Sequence, residues 1–127
     1  MGMPTGAGTI RFGSVVLDCP DPRELASFYA RLLGWRTRED PEDDGDWVML
    51  DDADGAHRLS FQRSADYQPP TWPDQTRPQM LHLDLYVDDM DAAHEFAVSA
   101  GARLLDDSHK EFRVFADPAG HPFCLCV

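Results

Sequence analysis

The sequence is poor in basic residues and in long apolar runs, and each shortage argues against a class of protein. Only 11 lysine and arginine residues stand against 23 aspartate and glutamate residues, which gives a formal net charge of −12. Such a chain repels phosphate backbones and anionic membrane surfaces, so we expect no nucleic-acid and no membrane partner. No window approaches the roughly 20 apolar residues that a membrane-spanning helix needs.

Cysteine is also scarce, and its pattern does not suggest disulfides. The chain has three cysteines, an odd number. Cys124 and Cys126 are two positions apart, so on a strand both side chains point the same way without reaching disulfide geometry. Residues 1–9 have neither the basic region nor the apolar run of a signal peptide, and we interpret them as a flexible tail. These features favour a reduced, cytoplasmic protein.

The remaining 118 residues, 10–127, suffice for a single domain with its own core. Residues 10–18 are rich in apolar and β-branched residues, which predicts a strand. Asp21 and Pro22 then signal the start of a helix, whose apolar stripe is Leu25, Phe28, Tyr29, Leu32 and Leu33 and which ends at Gly34. Three short strands follow, at residues 35–39, 47–50 and 57–63.

The same order of elements recurs in the second half. Residues 80–87 predict a strand, Asp88 or Asp89 a helix cap, and Gly101 the helix end. The buried stripe of this helix is predicted as Ala92, Ala93, Phe96, Ala97 and Ala100. Strands follow near residues 102–105, 111–116 and 122–127. The chain is therefore predicted to be an internal duplication of a β-α-β-β-β module, residues 10–63 and 80–127.

Residues 64–79 join the two modules and contain four prolines without usable periodicity. Loops of this length inside a compact domain are usually functional or mobile. This loop is either a lid that carries Tyr67 and Trp72 or a simple span, and the second interpretation is slightly favoured.

Three segments of the sequence resemble those of one family of paired modules. "VVLDCPDPRELASFYARLLGW" and "HLDLYVDDMDAAHEFAVSAGA" open the two modules, and "FADPAGHPFCL" closes the second. Together they resemble the vicinal oxygen chelate superfamily, which includes glyoxalase I, bleomycin-resistance proteins and extradiol dioxygenases. The resemblance implies an α+β fold in which two cupped mixed sheets carry helices on the outside and enclose a cavity, within one chain or across a homodimer.

Strand alternation indicates which side chains line the cup, because helix-facing positions must be apolar. The resemblance then implies four ligand places, Ser14, Gln62, His82 and Cys124. By alternation the same concave face also carries Trp47, Met49, Ser60, Asp84 and Tyr86, and these nine residues are the predicted ligand-binding set.

The four places make a poor metal site, because serine and glutamine oxygens are weak ligands and open catalytic sites typically use about three strong ones. We therefore expect no metal cofactor, unless Asp84 supplies a carboxylate. His82 is either a functional base or a histidine bonded to Gln62 or the main chain. Asp84 either binds a cationic or hydroxylated ligand or pairs with Arg58, Arg63 or Arg113, and the second interpretation is favoured. Cys124 and Cys126 are expected to fill the core.

Three functions remain open at this point. The first is metal-independent binding of a small molecule in the cup of a cytoplasmic homodimer. The second is a metal-dependent lyase, isomerase or dioxygenase of the glyoxalase I kind, and the third is an interaction module with a vestigial cup. The sequence does not decide whether the modules pair within one chain or between chains.

Overall fold

A computed structural model of the chain describes residues 11–127, so the predicted tail at residues 1–9 and the predicted strand start at residue 10 lie outside the described part. The first module consists of strand β1 (Val15–Cys19), helix α1 (Pro22–Leu33) and strands β2 (Arg36–Glu39), β3 (Trp47–Asp51) and β4 (His57–Arg63). A short 3-10 turn, Pro41–Asp43, connects β2 to β3.

The second module repeats this order. It consists of strand β5 (Leu83–Tyr86), helix α2 (Met90–Ala100) and strands β6 (Arg103–Asp106), β7 (Phe112–Ala116) and β8 (Pro122–Cys126). Each module forms its own four-stranded sheet, in the orders β1-β4-β3-β2 and β5-β8-β7-β6. In both sheets the first and last strands of the module are parallel and the other pairs are antiparallel. The predicted α+β duplication is therefore confirmed.

Both helices begin at the aspartates that the sequence offers. The Asp21 carboxylate accepts a hydrogen bond from the Glu24 amide at 3.2 Å, and the Asp89 carboxylate accepts one from the Ala92 amide at 3.1 Å. Of the two candidates for the second cap, Asp89 is the one used. Helix α1 ends at Gly34, whose φ of 69° lies in the left-handed region that glycine adopts without strain.

One hydrophobic core joins the two modules. It contains the helix-facing residues Leu17, Leu59 and Phe61 of the first sheet together with Phe115, Phe123 and Leu125 of the second. Helix α1 provides the link, because the ring centroids of Phe28 and Tyr29 lie 5.9 Å and 6.2 Å from that of Phe123. The opposite faces of both sheets, which carry the predicted ligand-binding set, therefore point away from the shared core.

Two local predictions are wrong. Ala92 and Phe96 do not belong to a buried stripe of α2, since Ala92 is exposed and Phe96 is 44% exposed, with its ring 5.8 Å from the Arg31 guanidinium. The helix buries only a narrow stripe around Ala97. Strand β5 begins at Leu83 and not at residue 80, because pairing with β8 starts at Leu83 opposite Phe123.

Among the described residues, no helix combines the length and the apolar character needed to cross a membrane.

Candidate functional site

The predicted orientation of the first sheet agrees with the observed register. Ser60 lies opposite Val16 and Met49 in the neighbouring strands, and Gln62 lies opposite Asp18 and Trp47. These residues share the face away from α1, whereas Leu59 and Phe61 are buried against it. Trp47 and Met49 are half-buried, and Gln62 is exposed.

Two serines and a histidine form a hydrogen-bonded chain on this face. The Ser60 hydroxyl is fully buried in the strand and lies 2.6 Å from His57 Nε2 and 3.3 Å from the Ser14 hydroxyl. One of the two serine hydroxyls therefore donates a hydrogen bond to the other. His57 is absent from the set predicted from the sequence, because it stands at the start of β4, beside the register shift opposite Asp51.

Three predicted residues converge on the second sheet. The ligand atoms of His82, Asp84 and Cys124 all lie within 4.8 Å of one another. His82 Nε2 is 3.1 Å from Asp84 Oδ1, so the imidazole lies beside this carboxylate, whereas the expected partner Gln62 lies on the first sheet. Both side chains remain accessible at 43% and 50% exposure, whereas Cys124 is 9% exposed.

The expected pairing of Asp84 with an arginine is wrong. Arg58 pairs with Asp52, Arg63 with Asp46 and Arg113 with Asp91. Each of these arginines therefore already has a carboxylate partner. The neighbour of Asp84 is His82, two residues away on the same face. Asp84 therefore pairs with none of these three arginines, and its negative charge lies next to His82 and Cys124.

A cavity of about 310 Å³ lies over this face, and we call it the second-sheet cavity. Its floor includes Cys124, Val114 and Asp106, which are cross-strand neighbours in β8, β7 and β6. His82 stands at its wall, and Trp72 and Gln79 reach in from the connecting loop. The loop thus contributes side chains to the cavity, beyond its role of joining the modules.

The set predicted from the sequence misses five polar or aromatic residues of this cavity: Trp72, Gln79, Asp106, His109 and Phe112. Gln79 Oε1 is buried and has no hydrogen-bond partner among the described residues. The His109 ring stacks on Phe112, with centroids 4.3 Å apart and planes 15° from parallel, and its Nε2 is 3.5 Å from Asp106 Oδ2. Alternation along β7 would have found Phe112, but a register shift in β6 turns Asp106 to this face although Leu104, two residues earlier, faces the core. Gln79 and His109 lie in loops without such a pattern.

The chemistry of Cys124 is set by its surroundings. Burial, reinforced by the negative charge of Asp84, raises the pKa of the Cys124 thiol to about 11. The thiol is therefore protonated near neutral pH, when it is a weak hydrogen-bond donor and a poor nucleophile.

The nine predicted residues do not all line the second-sheet cavity. Within the described residues, the second-sheet cavity contains His82 and Cys124 of that set but none of its first-sheet members. Tyr86 is 83% exposed and lies outside this cavity. Their role in ligand binding stays a prediction, and it now concerns two separate faces.

A sequence profile described as "Glyoxalase-like domain" matches residues 14–126, nearly the whole chain. The chain belongs to the glyoxalase-like domain family. This assignment agrees with the duplicated modules and with the vicinal oxygen chelate resemblance. No curated protein matches the sequence of this glyoxalase-like domain significantly.

Solved structures support the fold of this glyoxalase-like domain at low sequence identity. A possible glyoxalase from Bacillus cereus is 13% identical, with a TM-score of 0.68 over 94% of this chain and 100% of that chain. A hypothetical protein from S. aureus is 19% identical, also with a TM-score of 0.68, over 94% and 95% of the two chains.

A glyoxalase/bleomycin resistance protein/dioxygenase family enzyme from Burkholderia phytofirmans is 16% identical, with a TM-score of 0.66 over 89% of this chain and 94% of that chain. At such identities, likeness establishes the fold and leaves the activity to the residues of the site.

Proposed function

We propose that this glyoxalase-like domain binds a small organic molecule in the second-sheet cavity, without a metal ion, and that the molecule carries an N–H or O–H donor. The observation that carries the proposal is the buried Gln79 Oε1, which has no partner among the described residues. A buried acceptor without a partner costs about 1–3 kcal/mol, and a ligand donor would recover that free energy.

The rest of the cavity supports this class of ligand. Trp72, Phe112 and Val114 provide apolar and aromatic surface, and His82, Asp106 and His109 provide polar groups. A volume of about 310 Å³ lies at the lower end of the range typical for ligand cavities. An aromatic molecule with one polar donor satisfies both kinds of surface.

A matched pair of probes tests the proposal. Benzamide and methyl benzoate share a ring and a carbonyl group, but only benzamide donates N–H hydrogen bonds. In amide NMR titrations, we expect benzamide to shift signals of residues 79, 82, 109 and 124 saturably and methyl benzoate to bind more weakly. Gln79→Leu should remove the difference between the probes.

Gln75→Leu is the matched control, since Gln75 lies in the same loop and outside the lining of this cavity. Equal binding of both probes, or the same loss in Gln75→Leu, would count against the proposal. No saturable shift in this cavity with either probe would overturn it.

A divalent cation site at the cluster of His82, Asp84 and Cys124 is the second candidate, favoured by the convergence of three donors within 4.8 Å. The donor atoms lie within 4.8 Å of one another, and ligands about 2.0–2.3 Å from a zinc ion would need only small side-chain movements from these positions. The Cys124 thiol, with a pKa of about 11, must also lose its proton.

Metal analysis separates these two candidates. Protein purified without a histidine tag is analysed for metals and then titrated with zinc, nickel and manganese. We expect substoichiometric metal and no rise in melting temperature at equimolar ion. One tightly held ion per chain, lost in His82→Ala, would overturn the metal-free proposal and favour the enzyme of the glyoxalase I kind.

We further propose that the domain is a homodimer in which a second copy completes the cup. The supporting observation is that the two concave faces point away from the shared core, with Gln62, His82 and Tyr86 exposed. Sedimentation velocity at micromolar concentration should give twice the mass of one chain. A monomer throughout that range would contradict the dimer and leave the second-sheet cavity as a site within one chain.

A further inference from the structure

A second cavity, of about 460 Å³, lies at the seam between the modules, and we call it the seam cavity. It opens between the edge strand β1, represented by Val16, and the start of β5, represented by Leu81 and Leu83, with the loop 64–79 as its outer wall. Its lining shares only Pro122 with that of the second-sheet cavity. The predicted ligand-binding set contains none of its lining residues.

We propose that the seam cavity binds an uncharged, mainly apolar organic molecule. Its volume lies well inside the range of small-molecule sites, and such sites favour the junction between packed units. Aliphatic and proline side chains form most of its wall, including Val16, Leu81 and Leu83. Val16 and Leu81 are 39% and 46% exposed, so a ligand there removes apolar surface from water.

The polar groups at the floor of the cavity already have hydrogen-bond or ion-pair partners in the protein. His121 Nδ1 lies 2.8 Å from Asp117 Oδ2, and His121 Nε2 lies 2.8 Å from the main-chain oxygen of Asp18. The Tyr29 hydroxyl donates to Asp117 at 2.7 Å, and the Tyr67 hydroxyl donates to the Ala119 carbonyl at 2.8 Å. Since these groups already bond to the protein, an ionic ligand would find no unpaired countercharge at the floor.

The lining also contains one residue of each charge. Asp18 and Arg77 both line the cavity and carry opposite charges. The chain as a whole carries a net charge of −12, which disfavours anions further. A neutral ligand needs no countercharge at the floor and is not repelled by the net negative charge of the chain.

The outer wall is braced before any ligand arrives. Thr71 donates its amide to the Arg77 carbonyl at 2.7 Å, and Arg77 Nε donates to the Pro69 carbonyl at 2.9 Å. The loop also packs closely on the β7–β8 turn, because a Cβ on Gly120 would lie 2.8 Å from Pro69 Cβ. A preorganised wall lowers the ordering cost of binding.

Two fluorescent probes with the same rings test the proposal. N-phenyl-1-naphthylamine is neutral, and 8-anilinonaphthalene-1-sulfonate adds one negative charge. We expect the neutral dye to bind saturably at one site per chain and the sulfonate to bind several-fold more weakly. Val16→Trp, which fills the cavity with an indole ring, should weaken binding of the neutral dye by about tenfold or more.

Val98→Trp is the matched control, since Val98 is 47% exposed on α2 and does not line the cavity. His82→Ala should also leave dye binding unchanged, which separates this inference from the proposed function of the second-sheet cavity. If Val16→Trp loses its near-ultraviolet circular dichroism, Leu81→Trp serves the same purpose at a more exposed position of the wall.

Three outcomes would overturn the inference. The first is no saturable binding of the neutral dye, and the second is an equal loss of binding in Val98→Trp. The third is dye binding that disappears as sedimentation shows the chains associating, since a second copy would then cover the seam.

Discussion

At the scale of the residue, burial and a neighbouring carboxylate decide what Cys124 can do. Its pKa of about 11 lies two units above the ordinary value of 9.0, so the thiolate fraction at pH 8 is about 100-fold smaller than that of an ordinary thiol. We expect correspondingly slow alkylation of Cys124 by iodoacetamide, measured by site-resolved mass spectrometry. Asp84→Asn should lower this pKa and accelerate the reaction, whereas Asp88→Asn should not. Fast alkylation of the wild-type protein at pH 8 would contradict the assigned environment.

The Tyr29 hydroxyl is the second residue-scale case. It donates to the buried Asp117 carboxylate at 2.7 Å and is itself fully buried. Tyr29→Phe removes this donor from a buried charge, and we expect a loss of about 1–3 kcal/mol in the free energy of unfolding. Urea denaturation measures it, with Tyr86→Phe as the control that removes the same hydroxyl from an 83% exposed ring. Equal stabilities of the two variants would refute this role.

Alternation along the strands predicted the face that Asp84 and Cys124 occupy, but not the partners of these residues. Asp84 was expected to meet an arginine and instead meets His82, because a period of two fixes the direction of a side chain and not its rotamer or its neighbours. The buried Gln79 and the stacked His109 escaped prediction because no periodic pattern constrains loops.

At the scale of the element, the two helices differ in how much they bury. Helix α1 buries Leu25, Phe28 and Tyr29, and its stripe follows directly from the spacing of large apolar residues. Helix α2 is rich in alanine. Because alanine occurs on both buried and exposed helix faces, its spacing does not show which face is buried. For this reason the sequence predicted α2, with Asp88 or Asp89 as its cap, but assigned Ala92 and Phe96 to the wrong surface.

This difference predicts unequal costs for the same truncation. Phe28→Ala, at a position 4% exposed, should cost about 3–5 kcal/mol of unfolding free energy. Phe96→Ala should cost under about 2 kcal/mol, since almost half of that ring already contacts water. Chemical denaturation of both variants checks the comparison. A larger loss in Phe96→Ala would mean that α2 packs more deeply than described.

At the scale of the whole molecule, the buried thiols link stability to alkaline pH. Burial raises the pKa of both Cys19 and Cys124 from 9.0 to about 11. An acid whose pKa is raised on folding stabilises the folded state below its unfolded pKa, and this contribution is lost as pH rises towards the folded pKa. The expected window is therefore pH 9 to 11, and each thiol contributes at most about 2–3 kcal/mol.

Urea unfolding at pH 8, 9, 10 and 11 measures this dependence. The double variant Cys19→Ala with Cys124→Ala should lose less stability across the window than the wild-type protein, whatever its stability at pH 8. Burial also raises the pKa of the Tyr29 and Tyr67 hydroxyls, so part of the alkaline loss should remain. An identical slope in the two proteins would show that the thiols do not titrate in this way.

The fold of the whole molecule was predictable because the same sequence pattern occurs twice. Two strands, each followed by an aspartate cap, a helix and a glycine, leave few topologies open, and the observed sheets have the same strand order. How the modules sit together was not predictable. It depends on contacts such as that of Phe28 with Phe123, which join residues far apart in the chain.

The connecting loop touches both cavities, with Trp72 and Gln79 at one and Tyr67 and Arg77 at the other. Substitutions within this stretch of 16 residues can therefore change the lining of both cavities without changing a residue of any strand or helix. In this chain, one short segment outside the helices and strands therefore contributes to both proposed ligand sites.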